Sequence, residues 1–144
     1  MVGGGATKPR DGAAKPRGGD SVVKLSFPLR RRSDLSLEDF QHTWRQDHAP
    51  LVEKHREVLR IRRYVQIHRF DDPLNEALRA SRGGPEPFDG IAELWWDSLE
   101  DLQAAIATPE GAAAGAALLE DERRFIDLQR SPLWLSREHV IFDA

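Results

Sequence analysis

An amphipathic stretch from Ser36 to Leu51 constrains the fold of this 144-residue chain more than any other segment. Its apolar, aromatic and imidazole side chains recur at steps of three or four residues, which places them on one stripe of a helix. The members of this stripe are Leu37, Phe40, Trp44, His48 and Leu51. Two large aromatic rings and one titratable ring therefore point in the same direction, so the stripe either joins a core or borders a pocket.

Capping signals mark the starts of the helices. Ser36 and Ser98 are each followed three residues later by an aspartate, in an arrangement similar to a capping box. Asp72, which opens a short helix, and Thr108, which opens an Ala-rich one, are each followed by a proline, a residue favoured at the first helical position. Pro50 either ends the first helix or lies in the first turn of a second helical segment.

Four further segments alternate apolar and polar residues with the period of a β-strand. They are residues 23–29, 62–70, 91–96 and about 135–142. Pro28 indicates that the first strand lies at a sheet edge or ends there. Glu93 lies inside the third strand and needs a partner. We expect an ion pair with Arg63 or Arg69 on the second strand, and the alternative is a catalytic acid.

The elements follow one another as strand, helix, strand, strand, helix, strand. This order is that of the split βαβ, or ferredoxin-like, fold, an α+β domain in which an antiparallel sheet carries its helices on one face. The other face of the sheet includes Ile91 and Trp95, which are too large to leave in water. We therefore predict that this face packs against the sheet of a second copy, giving a homodimer.

Composition narrows the class of protein. Residues 1–20 are mainly Gly, Ala, Pro and charged residues, so we expect a disordered, mildly basic tail before one domain at residues 21–144. A net charge of −3 argues against a general nucleic-acid-binding protein. No apolar run reaches the roughly 18 residues of a membrane span, and the absence of cysteine excludes disulfides and thiol nucleophiles. We expect a cytoplasmic protein without nucleic-acid or membrane partners.

Three segments resemble the EthD domain family. Residues 35–52 (LSLEDFQHTWRQDHAPLV) are similar to its first helix, residues 88–105 (FDGIAELWWDSLEDLQAA) to its third strand and following helix, and residues 121–127 (DERRFID) to its closing segment. The resemblance covers residues 22–142. It implies a dimeric α/β barrel, in which two ferredoxin-like sheets pack face to face. Members of this superfamily act without metal or organic cofactor on phenolic, lactone or polyketide-like compounds, while others bind haem.

The resemblance also implies a site. An isomerase of this superfamily is thought to use a helix histidine and a second-strand tyrosine, and the matching positions here are His48 and Tyr64. An imidazole with an unperturbed pKa of about 6.5 can move protons near neutral pH, and a tyrosine hydroxyl can donate a hydrogen bond to a substrate oxygen. The alternatives are a histidine satisfied by a backbone carbonyl or by the dimer seam, and an ordinary strand tyrosine.

Large apolar residues near these positions are assigned to the core or to the wall of a substrate-binding pocket. They are Phe27, Phe40, Trp44, Leu94 and Trp96. The remaining histidines show no metal-binding spacing, so we expect no metal. We also expect no organic cofactor, although the resemblance leaves haem ligation by His48 as an alternative.

Two functions are compatible with the sequence. The first is a cofactor-independent isomerase, cyclase or oxygenase acting on a small oxygenated ring compound in catabolism or secondary metabolism. The second is a non-catalytic small-molecule-binding protein, or an accessory protein of an oxidative degradation pathway. Both require a homodimer and a pocket for an apolar or aromatic oxygenated ligand, so only turnover that depends on His48 separates them.

Overall fold

A computed structural model describes residues 21–144, and the tail predicted at residues 1–20 lies outside this range. The sheet has four strands: β1 (Val23–Leu29), β2 (Arg63–His68), β3 (Gly90–Trp96) and β4 (Trp134–Ser136). Their spatial order is β2-β3-β1-β4, and every neighbouring pair is antiparallel. The predicted ferredoxin-like α+β fold is therefore confirmed.

The helices begin where the capping signals predict. They are α1 (Leu37–His42), a π-helical turn (Thr43–His48), α2 (Ala49–Lys54), α3 (Pro73–Arg82), α4 (Leu99–Ala107), α5 (Pro109–Glu122) and a 3-10 turn (Leu128–Arg130). Side chains of the four predicted N-cap residues, Ser36, Asp72, Ser98 and Thr108, accept hydrogen bonds from backbone N–H groups at 2.8–3.0 Å. Each bond satisfies one of the unpaired donors at a helix start.

Alternation along the strands gives the sheet two chemically different faces. On one face, which we call the helix face, the strands present mostly apolar and aromatic side chains. These are Leu25, Phe27 and Leu29 of β1, Tyr64, Gln66 and His68 of β2, and Ala92, Leu94 and Trp96 of β3. The opposite side, the outer face, presents Lys24, Ser26, Arg63, Val65, Ile67, Ile91, Glu93, Trp95, Trp134 and Ser136.

The core lies between the helix face and the helices. Phe40, Trp44 and Phe125 are fully buried there, together with Leu29 of β1. The ring of Phe40 lies 5.5 Å from that of Trp44 and 5.8 Å from that of Phe125, measured between centroids. The amphipathic stripe at residues 36–51 therefore supplies two of the four largest fully buried side chains of the described residues, Phe40 and Trp44.

The last strand is shorter than expected. The last strand covers only Trp134–Ser136 and not residues 135–142, because Ser136 already pairs with Lys24, next to the start of β1. Helix α3 extends to Arg82 and ends at Gly83, whose φ of 65° is the left-handed conformation that favours glycine at a helix end. Strand β1 lies inside the sheet and not at an edge. It ends at Leu29, one residue after Pro28, so the second predicted alternative is nearly correct, and Pro28 lies beyond the part of β1 that pairs with β4.

Two expectations about the outer face are wrong. The partner of Glu93 is Lys24 of β1, at 3.0 Å, and not an arginine of β2. Trp95 is already buried within one chain, because Lys24 and Arg63 lie over its ring and its indole N–H donates to Glu138 at 2.7 Å. Trp95 therefore does not by itself require a second copy to cover it.

Candidate functional site

A cavity of about 230 Å³ lies between the helix face of the sheet and the helices. Its lining is mostly aliphatic and aromatic, and three titratable side chains border it: His48, Tyr64 and Glu122. Of the seven site residues proposed from the sequence, six line this cavity: Phe27, Trp44, His48, Tyr64, Leu94 and Trp96. Phe40 does not line the cavity and lies behind Trp44 in the core.

The π-helical turn presents Trp44 and His48 to the cavity. The N–H of Ala49 donates to the carbonyl of Trp44, five residues earlier, instead of four as in an α-helix. Pro50 follows directly and has no N–H to donate, so the regular pattern is interrupted at this point in any case. The helical path continues through Pro50 into α2, as the second alternative for this residue predicts.

His48 is held by a hydrogen bond to Asp121 of α5. The ring Nδ1 lies 2.7 Å from Asp121 Oδ2, and Asp121 Oδ1 accepts from Arg124 Nε at 2.8 Å. Burial alone would raise the pKa of Asp121, but the hydrogen bonds from Arg124 and His48 lower it below the usual value. Asp121 is therefore an anion that accepts from Nδ1–H, and this fixes the proton of a neutral His48 on Nδ1.

His48 is neutral near pH 7. Its side chain is buried, and this burial lowers the pKa of the imidazole, against the opposing effect of Asp121. With the proton on Nδ1, the lone pair is on Nε2. No side chain or backbone group among residues 21–144 hydrogen-bonds to Nε2. The ring therefore carries a free basic nitrogen at the wall of an apolar cavity, which is the state that a general base requires.

Tyr64 is oriented by a network on β2. The side-chain amide of Gln66 donates to the Tyr64 hydroxyl at 2.7 Å and to the Trp44 carbonyl at 3.0 Å. The amide oxygen of Gln66 accepts from His68 Nε2 at 2.8 Å, and the His68 ring stacks on Trp44 with centroids 4.4 Å apart. Because the Tyr64 oxygen is the acceptor in its hydrogen bond with Gln66, its own O–H remains available as a donor.

The protonation states in this network allow the Tyr64 hydroxyl to donate a hydrogen bond. Burial raises the pKa of Tyr64, although hydrogen bonds from Gln66 and Trp44 act in the opposite direction. Burial also lowers the pKa of His68, with a further contribution from Arg45. Tyr64 is therefore a phenol near pH 7, and its O–H can bind an oxygen atom of a molecule in the cavity.

Glu122, the last residue of α5, is the third titratable group in the cavity wall. Burial raises its pKa to about 7, with a further contribution from the charge of Asp121. No hydrogen bond or ion pair to its carboxyl group occurs within residues 21–144. A carboxyl group that is close to half protonated at neutral pH can exchange protons in either direction.

Asp121 and Glu122 are site residues that the sequence patterns did not predict. Asp121 lies 73 residues from His48, and an aspartate near a helix end resembles an ordinary solvated charge. A signal for Glu122 exists, however, because Leu118 also lines the cavity and lies four residues before it on the same helix. An acidic residue that continues the apolar stripe of a helix marks a candidate site residue.

The cavity does not fit haem. Its volume of about 230 Å³ is below the roughly 300–1,000 Å³ of sites for drug-sized ligands, and haem is larger than most such ligands. No lysine or arginine of the described residues borders it to pair with the haem carboxylates.

Within residues 21–144, no group of three or more His, Asp or Glu side chains could hold a metal ion. Over the same range, no helix is long and apolar enough to cross a membrane.

The fold and this cavity define a ferredoxin-like domain with a histidine-bearing apolar site. The model of the EthD domain matches residues 32–129, which is more than half of the chain. The protein therefore belongs to the EthD domain family, as the resemblance in three segments predicted. No curated protein sequence matches the chain significantly.

Several solved structures share the fold. An EthD family protein from Bacillus halodurans C-125 has a TM-score of 0.55 and 24% identity, with 82% of this chain and 99% of that chain covered. A dimeric protein of unknown function from Bacteroides fragilis NCTC 9343 has a TM-score of 0.52 and 15% identity, covering 85% and 98%. The hydroxynitrile lyase of Passiflora edulis has a TM-score of 0.50 and 11% identity, covering 83% and 97%. These likenesses establish the fold, which hosts at least one enzyme.

Proposed function

We propose that this EthD domain protein catalyses proton transfer on a small, mostly apolar, oxygenated ring compound, with His48 as the general base. The observation that carries this proposal is the arrangement of His48 at the cavity wall. Asp121 holds the proton on Nδ1 and burial keeps the ring neutral, so Nε2 is a base inside a water-poor site. Asp121 acts as a positioning residue, since it contacts the ring and not the cavity.

Tyr64 is proposed to bind the substrate oxygen. When a base removes a proton from the carbon beside a carbonyl group, negative charge develops on the carbonyl oxygen. A fixed O–H in an apolar cavity stabilises this charge more strongly than water does. The hydrogen bond from Gln66 to the Tyr64 oxygen supports this role, because it orients the hydroxyl and strengthens it as a donor.

The proposed chemistry uses only side chains of this protein and no organic cofactor. The Passiflora edulis hydroxynitrile lyase supports catalysis by a chain of this fold. A non-catalytic binding protein is the alternative function, and the mostly apolar lining of the cavity favours it. In that case, the bond between His48 and Asp121 would only satisfy a buried histidine.

Turnover of candidate substrates by paired histidine variants tests this proposal. Purified protein is incubated with phenols, lactones and polyketide-like acids, and mass spectrometry follows both bound and extracted compounds. Loss of a general base typically costs about 10²–10⁴-fold in rate, so we expect this loss in His48→Gln. His42→Gln is the matched control, because His42 is exposed on the same helical path.

The outcomes separate the two functions. Undiminished turnover in His48→Gln would contradict the role of His48 as a base. A compound that is retained unchanged by the wild-type protein, with affinity that does not require His48, would favour the binding protein. Circular dichroism of both variants is expected to match the wild type, since each replacement keeps most of the side-chain volume.

We also propose a homodimer formed through the outer face. Ile67 and Trp134 lie on this face with 42% and 48% of their surface exposed, and the Bacteroides fragilis protein of this fold is dimeric. Ile67→Glu should convert the dimer into a monomer in analytical ultracentrifugation. Val58→Glu is the control, because Val58 is 43% exposed but lies outside the sheet. A wild-type monomer would overturn this part of the proposal.

A further inference from the structure

We propose that Glu122 is a second catalytic residue, which returns a proton to the substrate so that the cavity isomerises β,γ-unsaturated cyclic ketones to their conjugated isomers. This inference rests on the proposed function of His48 and Tyr64 and assigns it a substrate class. It follows from the position of Glu122, from its lack of a partner and from the small number of polar groups in the cavity.

The position of Glu122 separates it from its charged neighbours. Asp121, the preceding residue, is hydrogen-bonded to His48 and Arg124. Glu120 lies 3.7 Å from Arg123 on the exposed side of α5. Successive helical residues point about 100° apart. Glu122 consequently lines the cavity, while Asp121 contacts Nδ1 of the His48 ring. The carboxyl group of Glu122 has no partner within residues 21–144.

Three features of this position favour the protonated form of Glu122. The apolar wall disfavours a charge, the anionic Asp121 is adjacent, and the carboxyl end of a helix carries partial negative charge. The resulting pKa of about 7 makes Glu122 an acid when His48 is a base. Because the pKa of His48 is lowered and that of Glu122 is raised, a neutral imidazole and a protonated carboxyl group can be present together near neutral pH, one as base and the other as acid.

The polar groups of the cavity restrict the substrate class. A molecule bound there meets one base, one hydrogen-bond donor and one acid among apolar walls, in a volume of about 230 Å³. It therefore needs a single oxygen for Tyr64, an acidic C–H beside the carbon that bears this oxygen, and a second carbon that can accept a proton. A β,γ-unsaturated ketone of one or two rings has all three features.

The reaction balances without a co-reactant. His48 Nε2 takes the proton from the α-carbon, and the electron pair of that C–H bond delocalises into a dienolate whose oxygen accepts from Tyr64. The γ-carbon then takes the proton of the Glu122 carboxyl group, and the double bond moves into conjugation with the carbonyl. His48 is left protonated and Glu122 ionised, so one proton passing from the former to the latter restores both groups.

Two probes in D₂O distinguish failure of this inference from failure of the proposed function. Cyclohexanone reports only α-proton exchange, which requires His48 and Tyr64 but not Glu122. Cyclohex-3-en-1-one reports isomerisation, which requires all three groups and places deuterium on the γ-carbon. Proton NMR follows both reactions at pH 7 for the wild type and for His48→Gln, Glu122→Gln, Glu122→Asp and Glu120→Gln.

We expect Glu122→Gln to lower isomerisation by roughly 10²-fold or more relative to its effect on cyclohexanone exchange. Glu122→Asp should restore part of the isomerisation, because it retains an acid. Glu120→Gln is the matched control, since the Glu120 side chain is 81% exposed on the same helix. It should leave both reactions unchanged.

Each other outcome has a definite meaning. Isomerisation at the wild-type rate in Glu122→Gln would overturn the role of Glu122 and leave the proposed function standing. Absence of His48-dependent exchange of cyclohexanone in the wild type would overturn both proposals. A Glu122 carboxyl group that titrates below pH 5 by carbon-13 NMR would also overturn the inference, whatever the activity of the variants.

Discussion

The two faces of the sheet differ in whether the titratable groups beside them have partners. On the outer face, Lys24 lies 3.0 Å from Glu93 and 3.3 Å from Glu138, so each of these three charged groups has a counter-ion. On the helix face, Glu122 and the Nε2 atom of His48 border an apolar cavity without a partner among residues 21–144. Both faces belong to the same four strands, so the difference arises from what each face is packed against.

This difference shows where the protein can do chemistry. A paired carboxylate stays ionised and holds neighbouring side chains in place, as Glu138 does for Trp95. An unpaired one in an apolar wall costs stability, and it gains a pKa near neutrality. The outer face is therefore suited to packing against another surface, while the helix face is suited to moving protons.

The largest expected effect tests whether the helix face is rigid enough to position its titratable groups. A Cβ atom added at Gly90 would lie 2.6 Å from Trp44 Cζ3 and 2.7 Å from the carbonyl oxygen of Ile67. Overpacking of this kind typically costs about 1–3 kcal/mol, and because one contact is to backbone we expect Gly90→Ala to lose about 3 kcal/mol in urea unfolding.

Gly84→Ala is the control for this prediction. A Cβ atom at Gly84 meets nothing within 4 Å, so its free energy of unfolding should change by no more than about 0.5 kcal/mol. If Gly90→Ala were tolerated equally well, the packing around Trp44 would be able to relax. The comparison between a rigid reactive face and a paired outer face would then fail.

Most of the fold was predictable from the sequence because its signals are local. The caps at Ser36 and Ser98 depend on residues three positions apart, and the strand patterns depend on alternation within seven residues. The stripe containing Trp44 and His48 was equally visible, since it repeats within a few turns. These features are encoded by neighbours along the chain and survive folding.

The errors concern pairs that only the sheet order creates. Glu93 was expected to meet an arginine of β2, but Val65 is its direct neighbour on that strand, and Arg63 stacks over Trp95 at 4.5 Å instead. Lys24, from the strand on the other side, supplies the charge. The pair of His48 and Asp121 was missed for the same reason, because periodicity cannot show which helices meet.

A second difference between the two faces is expected in how Glu122 affects stability as the pH changes. The pKa of Glu122 is about 4.5 in the unfolded chain and about 7 in the folded protein, so folding favours its protonated form. Below pH 4.5 the carboxyl group is protonated in both the folded and the unfolded state and does not change the free energy of unfolding. As the pH rises to about 7, the group ionises only in the unfolded state, and this lowers the free energy of unfolding. Glu122→Gln removes this penalty. We expect its stabilisation relative to wild type to grow by about 2 kcal/mol between pH 5 and pH 8.

Chemical denaturation of both proteins at the two pH values measures this difference. His48 titrates in the wild type and in the variant alike, so its contribution largely cancels. A stabilisation that is equal at pH 5 and pH 8 would show that Glu122 is ionised throughout this range. The unpaired carboxyl group would then not distinguish the helix face from the outer face.

The smallest expected effect applies the same substitution to the outer face, where its sign should reverse. Glu93→Gln removes one of the two carboxylates beside Lys24, whose side chain is only 14% exposed. Because Glu138 still neutralises Lys24, we expect a loss of about 1 kcal/mol at pH 8 and not the full cost of an unpaired buried charge. Glu138→Gln, at a side chain that is 48% exposed, should cost about 0.5 kcal/mol or less. If Glu93→Gln instead stabilised the protein as Glu122→Gln does, pairing with Lys24 would not offset the burial of Glu93, and the two faces would differ in geometry alone.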